Sequence, residues 1–209
     1  MNRVDFSKVA FELLNDGKIK NANKITVRKL SDMKEMYYNQ KAVDEILKND
    51  DPVIYEVYAV ENDETPGNLS FATTTINPGK IGDEYYMTKG HFHEKIDTAE
   101  VYIGISGVGK LMMQDEKGMC FDVDIKPQAI VYVPPRFAHR SINTGKEPLV
   151  FLAIYPSDAG HNYGVIKEKG FAKIVVERNG KPTVIDNPCL LYTSPSPRDL
   201  STSRMPSSA

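Results

Sequence analysis

From residue 53 onward, short runs of apolar or alternating apolar and polar residues recur at close intervals: VIYEVYAV, LSFATTTI, EYYMT, EVYIGI, KLMMQ, CFDVDI, AIVYV, PLVFLAIY and AKIVVE. Between them stand TPG, NPGKIG, SGVG, EKG, VPPRF and NTGKEP, rich in the residues that turns select. Runs of this length with a period of two predict the short strands of an all-β sandwich or barrel. One segment follows a different period. In NQKAVDEILKND, Val43, Ile46 and Leu47 fall on one helical face and Asn39 is placed to cap the first turn, which predicts a helix packed outside the barrel.

These patterns divide the chain into an N-terminal extension with one helix (residues 1–52), a barrel (53–188) and a tail (189–209). The tail, CLLYTSPSPRDLSTSRMPSSA, turns abruptly rich in Ser and Pro and loses all periodicity. Such a segment buries too little apolar surface to offset its ordering entropy, so it is expected to be disordered. It reads as translated cloning or library sequence rather than as part of the fold.

Composition narrows the function without naming it. The chain has 209 residues, enough for one domain with a sizeable core. Its 26 Lys and Arg are mixed with 28 Asp and Glu in no long block, which argues against a nucleic-acid footprint. The opening MNRVDFSKVAFELLNDGK breaks its apolar run with charged and polar residues, so no signal-peptide core is expected. No apolar stretch approaches a membrane span, and the expected setting is cytoplasmic. Cys120 and Cys189 have neither zinc-site spacing nor disulfide density and are read as free thiols.

The chemistry concentrates in TKGHFHEKIDTAEVY, residues 88–102. On a strand, His91 and His93 would present two imidazoles to one face at chelating separation. Glu100 lies an odd number of positions from His93, so EKIDTA must turn the chain before a strand restarts at EVYIGI. In that strand Glu100 and Tyr102 share one face. A further ligand is at hand in IVYVPPRFAHRSIN, where His139 follows the double proline. Three imidazoles and one carboxylate with open positions suit one divalent transition metal per chain, with Fe(II) the first expectation and Mn(II), Ni(II) or Zn(II) the others.

GISGVGKL, residues 104–111, has the glycine and lysine spacing of a phosphate-binding P-loop, but Leu111 stands where Ser or Thr would hold magnesium. The following KLMMQDEKGMCFDVDI reads as a hairpin and not as the helix that would receive the phosphate. The stretch is therefore expected to be a turn between strands.

GHFH-x6-E-x6-G (Gly90 to Gly107) followed by P-x-x-x-x-H-x-x-x-N (Pro134 to Asn143) resembles the two cupin motifs. Six residues separate His93 from Glu100, more than in general cupins, and Gln128 and Arg136 stand where the second motif usually has glycine. Together with VRKLSDMK, PVIYEVYAV, FATTTINPGKIG, YYMTKGHFHEKIDTAEVY, IVYVPPRFAHRSINTG and LAIYPSDAGHNYG, these strings resemble the cupin-type glucose-6-phosphate isomerases known mainly from archaea, over about residues 25 to 188. The resemblance implies a jelly-roll β-barrel, metal ligands at His91, His93, Glu100 and His139, and a sugar-phosphate pocket at Tyr55, Thr74, Thr88, Gly90, Tyr102, Tyr155, His161 and Tyr163. It also implies a homodimer. On simple alternation Thr88 would oppose His91 and His93, so a bulge at Gly90 is expected.

The activity so implied is the metal-dependent interconversion of glucose 6-phosphate and fructose 6-phosphate, in glycolysis and gluconeogenesis. Glu100 would be the base in a cis-enediol route, whereas a direct hydride shift would leave it a ligand; His161 and Tyr102 would carry hydroxyl protons or assist ring opening. The competing readings are another metal-dependent cupin enzyme, such as an Fe(II) dioxygenase or a different sugar isomerase or epimerase, and a non-catalytic sugar-binding cupin.

Overall fold

The alternating runs form strands, and every strand pair is antiparallel. The computed structural model describes residues 9–191. Its elements begin with β1 (Glu12–Leu13), β2 (Ile19–Lys20), β3 (Lys24–Lys29), α1 (Leu30–Met33), a 3-10 turn (Lys34–Met36) and α2 (Gln40–Leu47). There follow β4 (Val53–Val60), β5 (Leu69–Ile76), β6 (Lys80–Ile81), β7 (Glu84–Tyr85), β8 (Glu100–Ser106), β9 (Gly109–Gln114), β10 (Cys120–Ile125), β11 (Ile130–Val133), β12 (Ala138–Asn143) and β13 (Leu149–Pro156). The last are α3 (Gly164–Lys169), β14 (Lys173–Arg178), β15 (Lys181–Asp186) and α4 (Pro188–Leu191). The expected disordered tail is corrected at its start, where residues 189–191 complete α4, and its residues 192–209 lie outside the described residues.

A six-stranded sheet runs β11-β8-β13-β5-β4-β3, and facing it are a three-stranded sheet, β10-β9-β12, and a four-stranded one, β15-β14-β7-β6. Their inner faces meet in one apolar cluster that takes Tyr102 and Phe151 from the large sheet, Leu111 and Met113 from the second, and Ile81 and Val175 from the third. Burial of these side chains, at about 25 cal/mol per Å² of apolar surface, is the main force holding the sheets together. The all-β expectation is met. α2 forms as its pattern predicts, with the Asn39 Oδ1 accepting from the Ala42 N–H at 3.1 Å and Val43 fully buried.

Segment 1–52 carries the expected helix and also supplies a strand to the barrel. β3 pairs with β4 from Lys24↔Ala59 to Lys29↔Val53 and forms an edge of the large sheet. Its alternation is inverted: Ile25 and Val27 are exposed, whereas Lys24, Thr26 and Arg28 line a cavity. An apolar-in rule therefore misreads this strand.

The expected strand across His91 and His93 is corrected. Between β7 and β8 the chain makes only isolated bridges, Met87↔Ile142, His91↔His139 and Phe92↔Asn162. Gly90 breaks the regular path with φ +75°, and a Cβ there would lie 2.7 Å from the Phe171 ring. EKIDTA turns the chain as expected, with the Thr98 N–H donating to the Lys95 carbonyl at 3.0 Å.

GISGVGKL is no phosphate loop: β8 ends and β9 begins in a different sheet, and Gly107 (φ +73°) makes the crossing where a Cβ would meet the Pro148 carbonyl oxygen at 2.4 Å. The two motif positions that lack glycine keep the glycine conformation, with φ of 68° at Gln128 and 70° at Arg136. At Arg136 there is compensation, because its N–H donates to the Ile96 carbonyl at 2.8 Å and its guanidinium lies 2.8 Å from Asp97.

Candidate active site

Three separate parts of the chain converge at the mouth of the barrel. Glu100 opens β8 and, by the period of two, shares its inward face with Tyr102; both are buried. His139 enters from β12, every residue of which is buried. The loop that Gly90 bends brings His91 and His93 against them, through the His91↔His139 bridge. One ligand atom from each of His91, His93, Glu100 and His139 lies within 4.8 Å of all the others. The Glu100 Oε2 is 3.2 Å from His93 Nε2 and 3.0 Å from His139 Nε2.

The outer hydrogen bonds set which nitrogen faces inward. His93 Nδ1 lies 3.1 Å from the Thr98 carbonyl and 2.8 Å from its hydroxyl, and His139 Nδ1 lies 3.4 Å from the Phe137 carbonyl. Carbonyl acceptors keep hydrogen on Nδ1 and leave Nε2 with a lone pair, the arrangement of a metal-binding imidazole. The buried Nε2 of His91 has no hydrogen-bond partner, and that of His139 faces only the Glu100 carboxylate oxygen, at 3.0 Å. Orphaned buried nitrogens of this kind cost free energy unless something meets them. The four residues thus form a cluster that fits a metal ion.

Electrostatics agree with the donor set. Burial works to raise the Glu100 carboxyl, but without a metal, protons on the inward Nε2 atoms of His139 and His93 donate to it, outweigh burial and hold it down at about 2; a bound metal would take the place of those protons. Burial pushes His91 well below the ordinary imidazole range, reinforced by the neighbouring histidines, so it is neutral. Burial pushes Tyr102 well above the usual phenol range and Tyr55 up to about 12, so both keep their protons.

Around this centre lies a cavity of about 310 Å³. Tyr55, Thr74, Thr88, Gly90, Tyr102, Tyr155, His161 and Tyr163 all line it, together with His91, Glu100 and His139; His93 sits behind. The break at Gly90 puts Thr88 on the same side as His91, removing the conflict that simple alternation posed. His161 is at the solvent side, its ring centroid 4.5 Å from that of His91 and stacked at 6.0 Å on Tyr163. Lys24, Thr26, Arg28 and Lys89 line the cavity too, and sequence reasoning did not select them. The available signal was polar residues two apart in KITVRK.

Two features stand apart. Cys120 and Cys189 are free thiols. No helix among the described residues is long and apolar enough to cross a membrane.

Residues 27–188 match the family described as Glucose-6-phosphate isomerase (GPI). A glucose-6-phosphate isomerase from Thermococcus litoralis is 55% identical over 172 residues, covering 82% of this chain and 90% of its own. Those of Pyrococcus abyssi and Pyrococcus horikoshii are 52% identical over 174 residues and 53% over 181, covering 83% and 87% of this chain and 92% and 94% of theirs.

Proposed function

Because this chain belongs to the glucose-6-phosphate isomerase family, we propose that it interconverts glucose 6-phosphate and fructose 6-phosphate at a metal centre held by His91, His93, Glu100 and His139. The observation that carries this reading is the convergence of four ligand atoms on the same cavity as the tyrosine and threonine hydroxyls suited to a sugar. When bound, the metal supplies Lewis-acid stabilisation of oxyanion charge on the substrate's reacting oxygens.

The chain's own groups then have distinct tasks. Glu100, one of the four convergent ligand groups, would have its carboxylate committed to the metal, which makes it an anionic ligand and a poor base. This favours the route in which hydride passes from C2 to C1 while the O2 proton is carried to O1. His161, exposed at the mouth with its ring 4.5 Å from that of His91, would carry that proton, and the protonated Tyr102 hydroxyl would orient the sugar. The remaining hydroxyls, from Tyr55, Thr74, Thr88, Tyr155 and Tyr163, with the Gly90 backbone, bind the rest of the chain. Fe(II) as the resident metal, a homodimer, a cytoplasmic setting and a place in glycolysis and gluconeogenesis complete the proposal, supported by the family. So does a catalytic unit ending near residue 188: truncation after Leu191 should leave activity and melting temperature unchanged.

The deciding experiment is a coupled isomerase assay on EDTA-treated protein with each divalent metal restored in turn, alongside Glu100→Gln. Activity should return with metal, be indifferent to dioxygen, and in the variant fall only as far as bound metal falls. C2-deuterated substrate should keep its label. A loss of kcat per bound metal of about 100-fold with label washed into water would instead make Glu100 the base. Absence of turnover with every metal would overturn the isomerase reading.

A further inference from the structure

The inverted strand β3 carries charge into the cavity. Lys24, Thr26 and Arg28 share its inward face. Lys24 is matched, its Nζ 2.7 Å from Glu61. Arg28 is not: its Nε is buried without a hydrogen-bond partner. Lys89, on the loop beside Gly90, likewise has no carboxylate within ion-pair distance among the described residues. Both cations line the metal-bearing cavity and also a second cavity of about 320 Å³, so the two spaces meet at Arg28, Lys89, Gly90 and Tyr163. The second cavity also holds the Asp32 and Glu35 carboxylates, which act on Lys89 from beyond ion-pair distance. The metal-bearing cavity, however, offers the two cations no carboxylate besides Glu61, paired with Lys24, and the ligand Glu100, and like charges facing one space repel unless an anion lies between them.

A neutral donor stands next to the pair. The Thr88 Oγ1 accepts from the Ser141 N–H at 3.1 Å, which leaves its own hydrogen to donate. A guanidinium, an ammonium and a hydroxyl around one gap match a phosphomonoester dianion. We propose that Arg28 and Lys89 clamp the phosphate of the substrate where the two cavities meet, holding the reacting end of the sugar toward His91 and His139. This rests on the isomerase reading and adds to the uncharged pocket the residues that select phosphorylated over free sugars.

The test uses the metal-loaded protein and the variants Arg28→Gln and Arg28→Lys. Arg28→Gln should raise the KM for fructose 6-phosphate about 10- to 100-fold, the scale of one lost charge-assisted hydrogen bond, and change kcat by less than about 3-fold. Calorimetry with inorganic phosphate should show affinity falling in parallel, and Arg28→Lys should recover part of both. A packing role alone would lower metal content or melting temperature and leave KM unchanged. KM and phosphate affinity equal to those of the unsubstituted protein would overturn the proposal. Lys89→Gln carries the same readouts if Arg28→Gln fails to fold. Should the unsubstituted protein show no isomerisation, the isomerase reading fails on its own. The calorimetric arm still decides the clamp: phosphate binding lost in Arg28→Gln supports it, and binding that is absent or unchanged overturns it.

Discussion

Two glutamates in this barrel are equally hidden and oppositely tuned. Glu84 in β7 is 1% exposed and Glu100 in β8 is 5% exposed. Burial dominates at Glu84 and pushes its carboxyl up to about 7, because the Tyr38 N–H at 3.0 Å and the charge of Arg140 only partly oppose it. At Glu100 two imidazoles approach to 3.0 and 3.2 Å and hold it at about 2. The nearest cation of the first region is committed elsewhere: Arg140 donates to the Lys89 carbonyl at 2.7 Å and stacks over Phe171 at 4.6 Å. Burial therefore does not make a site. Both regions hold a buried polar atom without a partner, the Glu84 Oε1 in one and the His91 Nε2 in the other, and what separates them is that only the second converges with other ligand atoms on the metal-bearing cavity.

The largest effect should come from emptying the mouth. EDTA treatment is expected to lower turnover by about 1000-fold or more, the scale of several kcal/mol of oxyanion stabilisation, with far-UV circular dichroism unchanged. Loss of β structure along with the metal would show that the mouth, too, is structural. In the other region Arg140→Met should cost about 3 kcal/mol in denaturant unfolding, through the stranded Lys89 carbonyl and the lost ring contact. Metal content per folded chain should stay near that of the parent, and its loss would merge the two regions into one.

The pH profiles should then separate the glutamates by sign. Glu84 titrates higher folded than unfolded, so its contribution is fully present below about pH 4.5 and is lost as pH rises toward and through 7. Glu100 titrates lower folded than unfolded, so its contribution is present above about pH 4.5 and is lost as pH falls toward 2. In the apoprotein, Glu84→Gln should flatten the neutral limb of the stability curve and Glu100→Gln the acid limb. Both variants moving the same limb would break the comparison.

Smaller still is the outer support of the mouth. Thr98→Val removes the hydroxyl 2.8 Å from His93 Nδ1 while the backbone carbonyl remains, and should weaken metal affinity about 10-fold by competition with a chelator. The smallest effect belongs to neither region. Gln128→Gly relieves a φ of 68° and should raise stability by up to about 1 kcal/mol, a melting shift of a few degrees, with kinetics unchanged.

Much of this molecule was legible from short-range patterns. The period of two in VIYEVYAV, LSFATTTI and EVYIGI became β4, β5 and β8, and Asn39 caps α2. Steric preferences between near neighbours are written locally, so local reading finds them. The H-x-H spacing and the shared face of Glu100 and Tyr102 exposed much of the metal cluster for the same reason. The likeness to a known family selected Tyr55, Thr74 and Tyr155 from residues that are otherwise ordinary strand formers.

Other features depended on which strands became neighbours. Sequence did not show that His91 and His93 sit on a Gly90-bent loop, or that β8 and β9 part into different sheets. Nor did it show that β3 turns Arg28 inward, or why Glu84 and Glu100 titrate in opposite directions. Each depends on groups far apart along the chain, such as Arg28 beside Tyr55 or Glu100 facing His139. A charge falls off with distance through space, not along sequence. Sequence by itself therefore determined the elements and the kinds of donor, and only sheet pairing decided which donors meet an open cavity and which are consumed by the backbone.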